Sequence, residues 1–307
     1  MKKKKEIIIS LIMVVSSLIV SIFAFVPIGR NHDDLSSNWM SKVDDNTKIV
    51  NLSLPGSHDS GATHSIADVA GKCQDSSIYE QLKMGVRFFD LRLQLVNDEF
   101  KIVHSFVDQK LLFKDVISDL YNFIKENPSE FLLVSIKKEE SSINSTLDFK
   151  DAIDLEINKY LDVIQKENKL PSLLKEARGK IYILSRFNGE IGIPAYYGWN
   201  DDCSFKMYDI YIQDNYNIQS IDEKKIDILN TINYANNNDD LVINFTSCYL
   251  DPGFPPLYAG TASLAINPWL IEQISSNSDE LGIIVADFVS ENLTKAIYMR
   301  NIKWRRY

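Results

Sequence analysis

Two of the four histidines in this 307-residue chain stand where a strand is expected to end. His58 and its neighbour Asp59 follow an apolar stretch, Lys48 to Leu54, and His104 closes a second stretch that begins at Phe100. Two imidazoles can act as base and acid, because one can take a proton from an attacking hydroxyl and the other can give a proton to a leaving oxygen. That pair of roles suits group transfer at phosphorus. For either histidine alone, an ordinary packed or surface side chain would be the better interpretation.

Charged side chains elsewhere in the chain would complete this chemistry. Asp59 and Asp287 are carboxylates that the fold could bring near the histidines, where they would favour the protonated imidazole and fix its tautomer. Arg92 could supply the positive charge that a phosphoryl group needs as its charge redistributes. Pro55 and Gly56 are expected to end the first strand in a tight turn. A loop held by a rigid strand is a suitable place for reactive residues.

The elements that must position these residues alternate between strand-like and helix-like segments. Helical spacing of apolar residues predicts helices over 115–126, 147–165, 221–235, 262–275 and 291–304. Such alternation implies a parallel sheet in an α/β fold. Eight apolar runs are predicted to be strands: Lys48 to Leu54, Val86 to Leu93, Phe100 to His104, Phe131 to Lys137, Lys180 to Ser185, Met207 to Gln213, Leu241 to Thr246 and Gly282 to Asp287.

Eight strands in roughly 275 residues fit a single-domain TIM-type (β/α)8 barrel. Its connections are expected to be irregular at 65–74 and 185–207, and a doubly wound open sheet is the alternative. The polar residues favour the barrel, because the carboxyl ends of its strands converge on one face whereas an open sheet spreads them out. The residues at or just past these strand ends are His58, Asp90 with Arg92, His104, Lys137, Arg186, Asp214 and Asp287.

The amino terminus differs from the rest of the chain. Four lysines, Lys2 to Lys5, precede an apolar run over residues 7–26. A basic segment followed by an apolar run indicates export. We expect residues 1–29 to be a signal peptide and 30–307 to be one secreted domain. Because the run is long enough to span a bilayer, an uncleaved membrane anchor formed by residues 7–26 is the alternative.

Charge and cysteine content exclude several classes of function. The net charge is -9, and removal of residues 1–29, with four lysines and one glutamate, takes it to -12. An acidic chain lacks the basic patches of nucleic-acid-binding proteins. Three cysteines, Cys73, Cys203 and Cys248, are too few for a disulfide framework. No zinc-binding motif is present, so neither a metal site nor a cofactor is expected.

A series of motifs resembles the X-domain family of bacterial phosphatidylinositol-specific phospholipases C. The motifs follow the family order from about residue 38 to 300 and are LSLPGSHDSG, GVRFFDLRL, KIVHS, NPSEFLLVSIKKE, ARGKIYILSRFNG, YIQDNY, LVINFTS and LGIIVADF. The resemblance implies cleavage of phosphatidylinositol in membranes to diacylglycerol and inositol 1,2-cyclic phosphate. It also implies transient contact with the membrane surface, and we expect a monomer.

The resemblance also implies a role for each matching residue. His58 would be the general base that takes the proton of the inositol 2-hydroxyl, with Asp287 in support. His104 would be the general acid for the diacylglycerol oxygen, with Asp59 as its partner, and Arg92 would hold the phosphate. Calcium-dependent relatives have a metal-binding acid at the position of Arg92, so the arginine implies a metal-independent enzyme. Substrate contacts would come from Lys137, Arg186, Asp214, Tyr216 and Asp90.

The chain departs from the family in two places that bear on the membrane and the acid. Ser105 follows His104 where a glycine is common, and the segment 65–74 has no aromatic residue where a related enzyme has a tryptophan near Ala70. Five other aromatic residues in loops could contact a bilayer, since Tyr and Trp suit its interface, or could simply pack: Tyr196, Tyr197, Trp199, Phe254 and Tyr258.

Other polar residues receive no role. His32 and His64 are expected at the surface, and Lys138, Glu139 and Glu140 are expected to form a solvated strand end. Two other functions stay open beside the main one. A related phosphodiesterase acting on glycerophosphodiesters or sphingolipids would need a divalent metal, and a catalytically silent lipid-binding X domain would usually lack one of the histidines.

Overall fold

A twelve-stranded sheet runs through the residues that the computed structural model describes, which are 35–65, 71–250, 258–276 and 280–302. The strands are β1 Leu54–Ser57, β2 Phe88–Val96, β3 Glu99–His104, β4 Val107–Leu112, β5 Phe131–Lys138, β6 Ile164–Gln165, β7 Lys180–Arg186, β8 Ile193–Pro194, β9 Ser204–Met207, β10 Ile210–Gln213, β11 Leu241–Phe245 and β12 Ile283–Ala286.

Seven helices accompany the strands in this part of the chain. They are α1 Ile78–Met84, α2 Phe113–Glu126, α3 Phe149–Ile157, α4 Leu174–Ala177, α5 Ile221–Asn237, α6 Ala259–Ser275 and α7 Glu291–Tyr298. Short 3-10 helices occupy Trp39–Lys42, Ile49–Asn51, Asn158–Tyr160 and Met299–Asn301. Helix α2 shows why these segments are helical: Val116, Leu120 and Phe123 recur on one face and are buried against the sheet.

The strand order identifies a TIM-type barrel. The path runs β6-β7-β5-β2-β1-β12-β11-β10-β9, and each step from β7 to β10 is parallel. The predicted parallel sheet and barrel class are therefore confirmed. Within the described residues no strand pair joins β7 to β10, and the short strands β6 and β8 and the antiparallel β9 lie along those two edges instead. No helix joins β7 to β9, as the sequence predicted.

The first strand lies later in the chain than predicted. Ile49–Asn51 forms a 3-10 helix, and Pro55 and Gly56 belong to β1 instead of ending it. The amide of Leu54 donates to Gly282 O, just before β12, and the amide of His58 donates to Ala286 O at its end. The nitrogen of Pro55 therefore points away from β12, to a side where no donor is needed because β2 begins only at Phe88. Gly56 lies in a tight space, since an added Cβ would lie 3.1 Å from Ile284 O and from Phe88 and these neighbours would have to shift by a few tenths of an ångström.

The predicted strand that ends at His104 is not a barrel strand. It pairs with β2 as an antiparallel partner and turns through Ser105 and Phe106 into β4, which the sequence did not predict. Ser105 adopts a positive φ of 51°, a conformation that favours glycine. The predicted helix over 147–165 is also shorter, because Val163–Gln165 leaves the helix to pair beside β7.

The amino ends of the strands are covered by the segment that begins at Ser36, which we call the amino-end cap (Ser36–Val43). Arg87, just before β2, donates to Ser36 O and Ser37 O and pairs with Glu130 Oε2 at 2.9 Å. Glu130 in turn accepts from the amide of Met40. Trp39 stacks on Tyr298 with ring centroids 5.6 Å apart. This end of the barrel is therefore closed by buried side chains.

No helix in the described part of the chain is both long and apolar enough to cross a membrane. The predicted signal or anchor segment, residues 1–29, and His32 lie outside the described residues, as do Ala70 and Phe254.

Candidate active site

The register of two neighbouring strands brings His58 and Asp287 together. Ser57 of β1 lies opposite Ala286 of β12, so the residues that follow them leave the sheet side by side. His58 Nδ1 lies 2.7 Å from Asp287 Oδ1. The amide of Gln74 fixes both strand ends, because its Nε2 donates to the carbonyl oxygens of His58 and Ala286. The first histidine is thus oriented by a buried carboxylate.

Asp59 links the two histidines. Its Oδ2 lies 3.6 Å from His58 Nε2 and 3.6 Å from His104 Nε2. His104 reaches this point because β3 runs antiparallel to β2 and returns toward the carboxyl ends of the barrel strands. Asp59 adopts a positive φ of 41° at the end of β1, which turns its side chain into the cluster. Burial raises the pKa of Asp59, and the positive charge of Arg92 opposes that rise.

Arg92 stands at the centre of the cluster. Its Nε lies 3.2 Å from Asp59 Oδ1, and its Nη2 lies 3.3 Å from Asp90 Oδ2 and 2.7 Å from His58 Nε2. Burial lowers the pKa of Arg92, but Asp59 and Asp90 more than offset burial, so the pKa is raised well above its ordinary value. Arg92 therefore holds a permanent positive charge between the two carboxylates and the histidine.

The contacts of His58 assign its tautomer. A guanidinium has only donors, so His58 Nε2 must accept from Arg92 and Nδ1 must carry the ring proton and donate to Asp287. In this state Nε2 is the basic nitrogen. Burial lowers the pKa of His58, whereas Asp287 and Asp59 raise it, and the net result is a raised pKa. The ring can therefore take a proton at Nε2 once Arg92 moves from it.

A second group of charged residues continues the site along β5, β7 and β10. Arg186 Nη1 lies 3.4 Å from Asp90 Oδ1, and Lys137 Nζ lies 2.7 Å from Glu139 Oε2. Burial would raise the pKa of Asp90, but Arg92 and Arg186 hold it well below its ordinary value. Asp90 therefore stays ionised between two arginines. Its position makes it a bridge between the histidine cluster and this second group.

Trp199 builds one wall of that second group. Its ring lies 3.7 Å from Arg186 Cζ, and its Nε1 donates to Asp214 Oδ2 at 3.0 Å. Trp199 was predicted only as a loop aromatic that either contacts membrane or packs. The structure shows that it packs, and that it fixes Arg186 and Asp214. This contact could not be predicted, because residues 187–203 carry no periodic pattern.

Tyr216 lies just past β10 and belongs to a different set of contacts. Its hydroxyl donates to Asp201 Oδ1 at 2.8 Å, and its ring stacks on Tyr249 at 5.7 Å between centroids. Burial and Asp201 raise its pKa well above the ordinary value. Its hydroxyl is thus bound to the loop that carries Trp199, while one face of its ring packs on Tyr249.

Glu139 is a site residue that the sequence analysis missed. It was predicted to lie on a solvated strand end, but its side chain is only 10% exposed and pairs with Arg92 at 3.5 Å and with Lys137. Burial would raise the pKa of Glu139, and Arg92 and Lys137 lower it below its ordinary value. The signal was available, since Lys137 and Glu139 are two residues apart and leave a strand on the same face. Lys138, between them, is exposed as predicted.

Cys73 is the other unexpected neighbour. Its Sγ lies 3.9 Å from His104 Nδ1, and ligand atoms of His58, Asp59 and Cys73 lie within 4.8 Å of one another. Such a trio could in principle hold a metal ion, but a thiol must lose its proton to bind one. Burial raises the pKa of Cys73 well above its ordinary value, and Arg92 already places a positive charge against the trio. The donor set therefore fits a resident cation poorly.

Four further loop aromatics are exposed. Tyr197 is 86% exposed, Tyr196 48% and Tyr258 45%, and Phe106, two residues past His104, is 83% exposed. His64 donates its backbone amide to Gln109 and takes no part in the cluster contacts described above.

Comparison with known proteins shows which family this chain is similar to. The family described as phosphatidylinositol-specific phospholipase C, X domain, matches residues 52–187. The 1-phosphatidylinositol phosphodiesterase of Listeria monocytogenes is 28% identical over 291 residues, covering 87% of this chain and 85% of the relative. The enzyme of the same name from Staphylococcus aureus is 27% identical, covering 89% of this chain and 93% of the relative.

Solved structures agree with the fold. The phosphatidylinositol-specific phospholipase C from Listeria monocytogenes superimposes with a TM-score of 0.73 at 26% identity, covering 88% of this chain and 99% of that one. A mutant of the corresponding enzyme from Staphylococcus aureus gives a TM-score of 0.76 at 24% identity, covering 89% and 100%.

Proposed function

We propose that this chain is a member of the phosphatidylinositol-specific phospholipase C X-domain family, whose model matches residues 52–187, and that it cleaves phosphatidylinositol to diacylglycerol and inositol 1,2-cyclic phosphate. One observation carries the proposal. His58 is held between Asp287 and Arg92, and Asp59 contacts both His58 and His104. Two imidazoles therefore lie in one cluster with the guanidinium of Arg92. This arrangement provides a base, an acid and a phosphate-binding guanidinium in one place.

The reaction would use this arrangement as follows. The substrate phosphate draws Arg92 away from His58, which frees Nε2 to take the proton of the inositol 2-hydroxyl. The 2-oxygen then forms a bond to phosphorus, and the bond from phosphorus to the diacylglycerol oxygen breaks. His104, in its protonated form beside Asp59, gives its proton to that oxygen. No external nucleophile is needed, because the neighbouring hydroxyl attacks at high effective concentration.

The head group would lie against the second group of charged residues. Lys137, Arg186, Asp214 and Asp90 offer donors and acceptors for sugar hydroxyls, and Tyr216 offers an aromatic face. Glu139 joins this set because it holds Lys137 and Arg92 at 2.7 Å and 3.5 Å. A pocket built around hydroxyls rejects ligands that lack them, since its buried polar groups would be left unpaired. Phosphatidylcholine should therefore not be cleaved.

The cellular setting is also a proposal. The basic and apolar start of the sequence supports export, with residues 1–29 removed or with 7–26 kept as an anchor. Exposed Tyr196, Tyr197 and Tyr258 suit brief contact with a bilayer surface. We propose that the protein is a monomer that does not bind nucleic acid. It needs no cofactor, because Arg92 supplies the positive charge that a metal would otherwise bring.

One assay tests the proposed function. Purified protein is incubated in EDTA with vesicles of phosphatidylinositol or of phosphatidylcholine, and phosphorus products are followed by NMR. We expect inositol 1,2-cyclic phosphate from the first lipid only, and none from the His58→Ala variant. Comparable cleavage of both lipids would contradict the head-group pocket. Activity that appears only with added divalent metal would favour the metal-dependent phosphodiesterase, and no cleavage of either lipid would favour a silent lipid-binding domain.

A further inference from the structure

Helix α5 carries a lysine that lies entirely inside the protein. Lys224 is 0% exposed and is the largest charged side chain buried in this helix. Its Nζ donates to Gln213 Oε1 at 2.9 Å and to Asn215 O at 2.5 Å. Within the described residues no carboxylate lies within ion-pair distance of it, so its partners are neutral oxygens.

The two partners of Lys224 flank Asp214, one on each side along the chain. Gln213 ends β10 and Asn215 follows Asp214, so the lysine holds the strand end from both sides. Because successive side chains of a strand alternate, Gln213 faces helix α5 whereas Asp214 points the other way, to Trp199. The contact that fixes Asp214 therefore comes from helix α5, on the side of the strand opposite Trp199.

Further hydrogen bonds extend the network behind Asp214. Gln213 Nε2 donates to Asn244 Oδ1 and to Phe245 O, both at 2.8 Å, and Asn244 Nδ2 donates to Ile228 O on helix α5. Asn215 Nδ2 donates to Asp227 Oδ2 at 2.8 Å. Gln213, Asn244 and Lys224 are all fully buried. These bonds tie Gln213 and Asn215 to helix α5 and to β11, although Asn215 Oδ1 has no hydrogen-bond partner among the described residues. Such a buried polar network favours one arrangement of its backbone.

Stability alone does not account for a charge at this position. A buried ammonium without a carboxylate partner destabilises the fold, and the amino-terminal turn of a helix disfavours positive charge. Burial lowers the pKa of Lys224 to about 8, although Cys248, Asp214, Asp227 and Asp287 act in the opposite direction. Retention of a destabilising charge behind a site residue indicates a role in that site.

We propose that Lys224 is a positioning residue for head-group recognition, which sets the direction of the Asp214 carboxylate by holding the residues on either side of it. The inference rests on the proposed function, in which Asp214 accepts hydrogen bonds from sugar hydroxyls. Lys224 itself does not touch the substrate. Its effect passes through Gln213 and Asn215 to Asp214 alone.

A double-mutant cycle on a short-chain, water-soluble phosphatidylinositol tests the proposal without any contribution from membrane binding. The variants are Lys224→Met, Asp214→Asn and the double variant, with Lys225→Met as a matched control one residue away on the same helix. We expect Lys224→Met to lower kcat/KM by roughly 10- to 100-fold, the size of a lost hydrogen bond to a charged group. Lys225→Met should stay near the unmodified protein.

The decisive result is the double variant. If Lys224 acts through Asp214, Lys224→Met should change kcat/KM little once Asp214 is already Asn, so the two effects should not add. Additive losses would overturn the proposal, as would a Lys224→Met variant with unmodified kcat/KM. Unfolding of both Lys224→Met and Lys224→Gln, seen by circular dichroism, would also overturn it, since the lysine would then serve the whole fold.

The proposed function can fail separately from this inference. If Asp214→Asn alone leaves kcat/KM unchanged, Asp214 does not contact the head group, whatever the lysine does. If Asp214→Asn lowers kcat/KM and Lys224→Met does not, the site assignment stands and the role of Lys224 is refuted.

Discussion

The Asp287→Asn substitution tests how the base is made. In the structure the carboxylate of Asp287 is 3% exposed and lies 2.7 Å from His58 Nδ1, so it both holds the ring proton on that nitrogen and raises the pKa of His58. An amide can donate as well as accept, so the proton is no longer held on Nδ1 and Nε2 is no longer reserved as the base.

The expected loss has two parts. A hydrogen bond to a charged group contributes about 1.5–3 kcal/mol, which corresponds to roughly 10- to 150-fold in rate. A ring in the wrong tautomer cannot accept the hydroxyl proton at all, and general-base catalysis contributes about 100- to 10,000-fold. We therefore expect kcat to fall by about 100- to 10,000-fold while the fold is retained.

The pH profile gives a second, independent signal. His58 must be unprotonated to act as a base, so kcat/KM falls as the pH drops through its pKa. Asp287 raises that pKa, and its loss should move the acid limb of the profile to lower pH. The assay is release of inositol 1,2-cyclic phosphate from a soluble substrate across a pH series, with Asp239→Asn as a surface control, since Asp239 is 81% exposed. A variant within about threefold of the unmodified rate, or an acid limb that stays in place, would refute the reasoning.

Further expected outcomes follow from the same contacts. His104→Ala should lower kcat by about 100-fold or more with normal circular dichroism, because the leaving oxygen loses its acid; near-normal turnover would exclude that role. The unmodified enzyme should keep full activity in EDTA, whereas Arg92→Asp should lose most of it, and a calcium requirement of the unmodified enzyme would refute the assignment of Arg92. Glu139→Gln should lower kcat/KM by about tenfold or more, and an unchanged value would mean that Glu139 only neutralises Lys137. In urea titrations, the free energy of unfolding should rise by up to about 3 kcal/mol between pH 8 and 10.5, because Lys224 has a folded pKa of about 8 and an unfolded value of 10.5. The Lys224→Met variant should lack this rise, and an equal rise in both proteins would contradict the buried charge.

The sequence predicted the barrel class because its signals are local and repeated. Apolar runs such as Phe131 to Lys137 and helix faces such as that of α2 depend only on periodicity, and both are where the pattern placed them. Polar residues after strand ends could be grouped from topology alone, since parallel strands deliver their carboxyl ends to one face. His58 and Asp287 are adjacent for that reason.

The parts that could not be predicted depend on contacts between distant segments. The β3–β4 hairpin was hidden because its turn uses Ser105 in a left-handed conformation, where a glycine would have been a visible signal. Pro55 and Gly56 indicate a turn in most sequences, but here both lie within β1, where little space is left for a Cβ between β12 and Phe88. Trp199 and Lys224 carry no pattern of their own, and their roles depend on which strand ends they meet.

The amino-end cap has a practical consequence for work with this protein on a solid support. Ser36 and Ser37 are bound by Arg87, which just precedes β2 and lies five residues before Arg92 of that strand, so the cap and the site are separated by roughly 16 Å of barrel. Asn301, near the other terminus, is tied to Ser53 just ahead of β1 and so lies at the same closed end. Tethering the barrel to a bead through a residue of the amino-end cap or through Asn301 should leave its open mouth facing the bulk solution, where lipid vesicles can reach it.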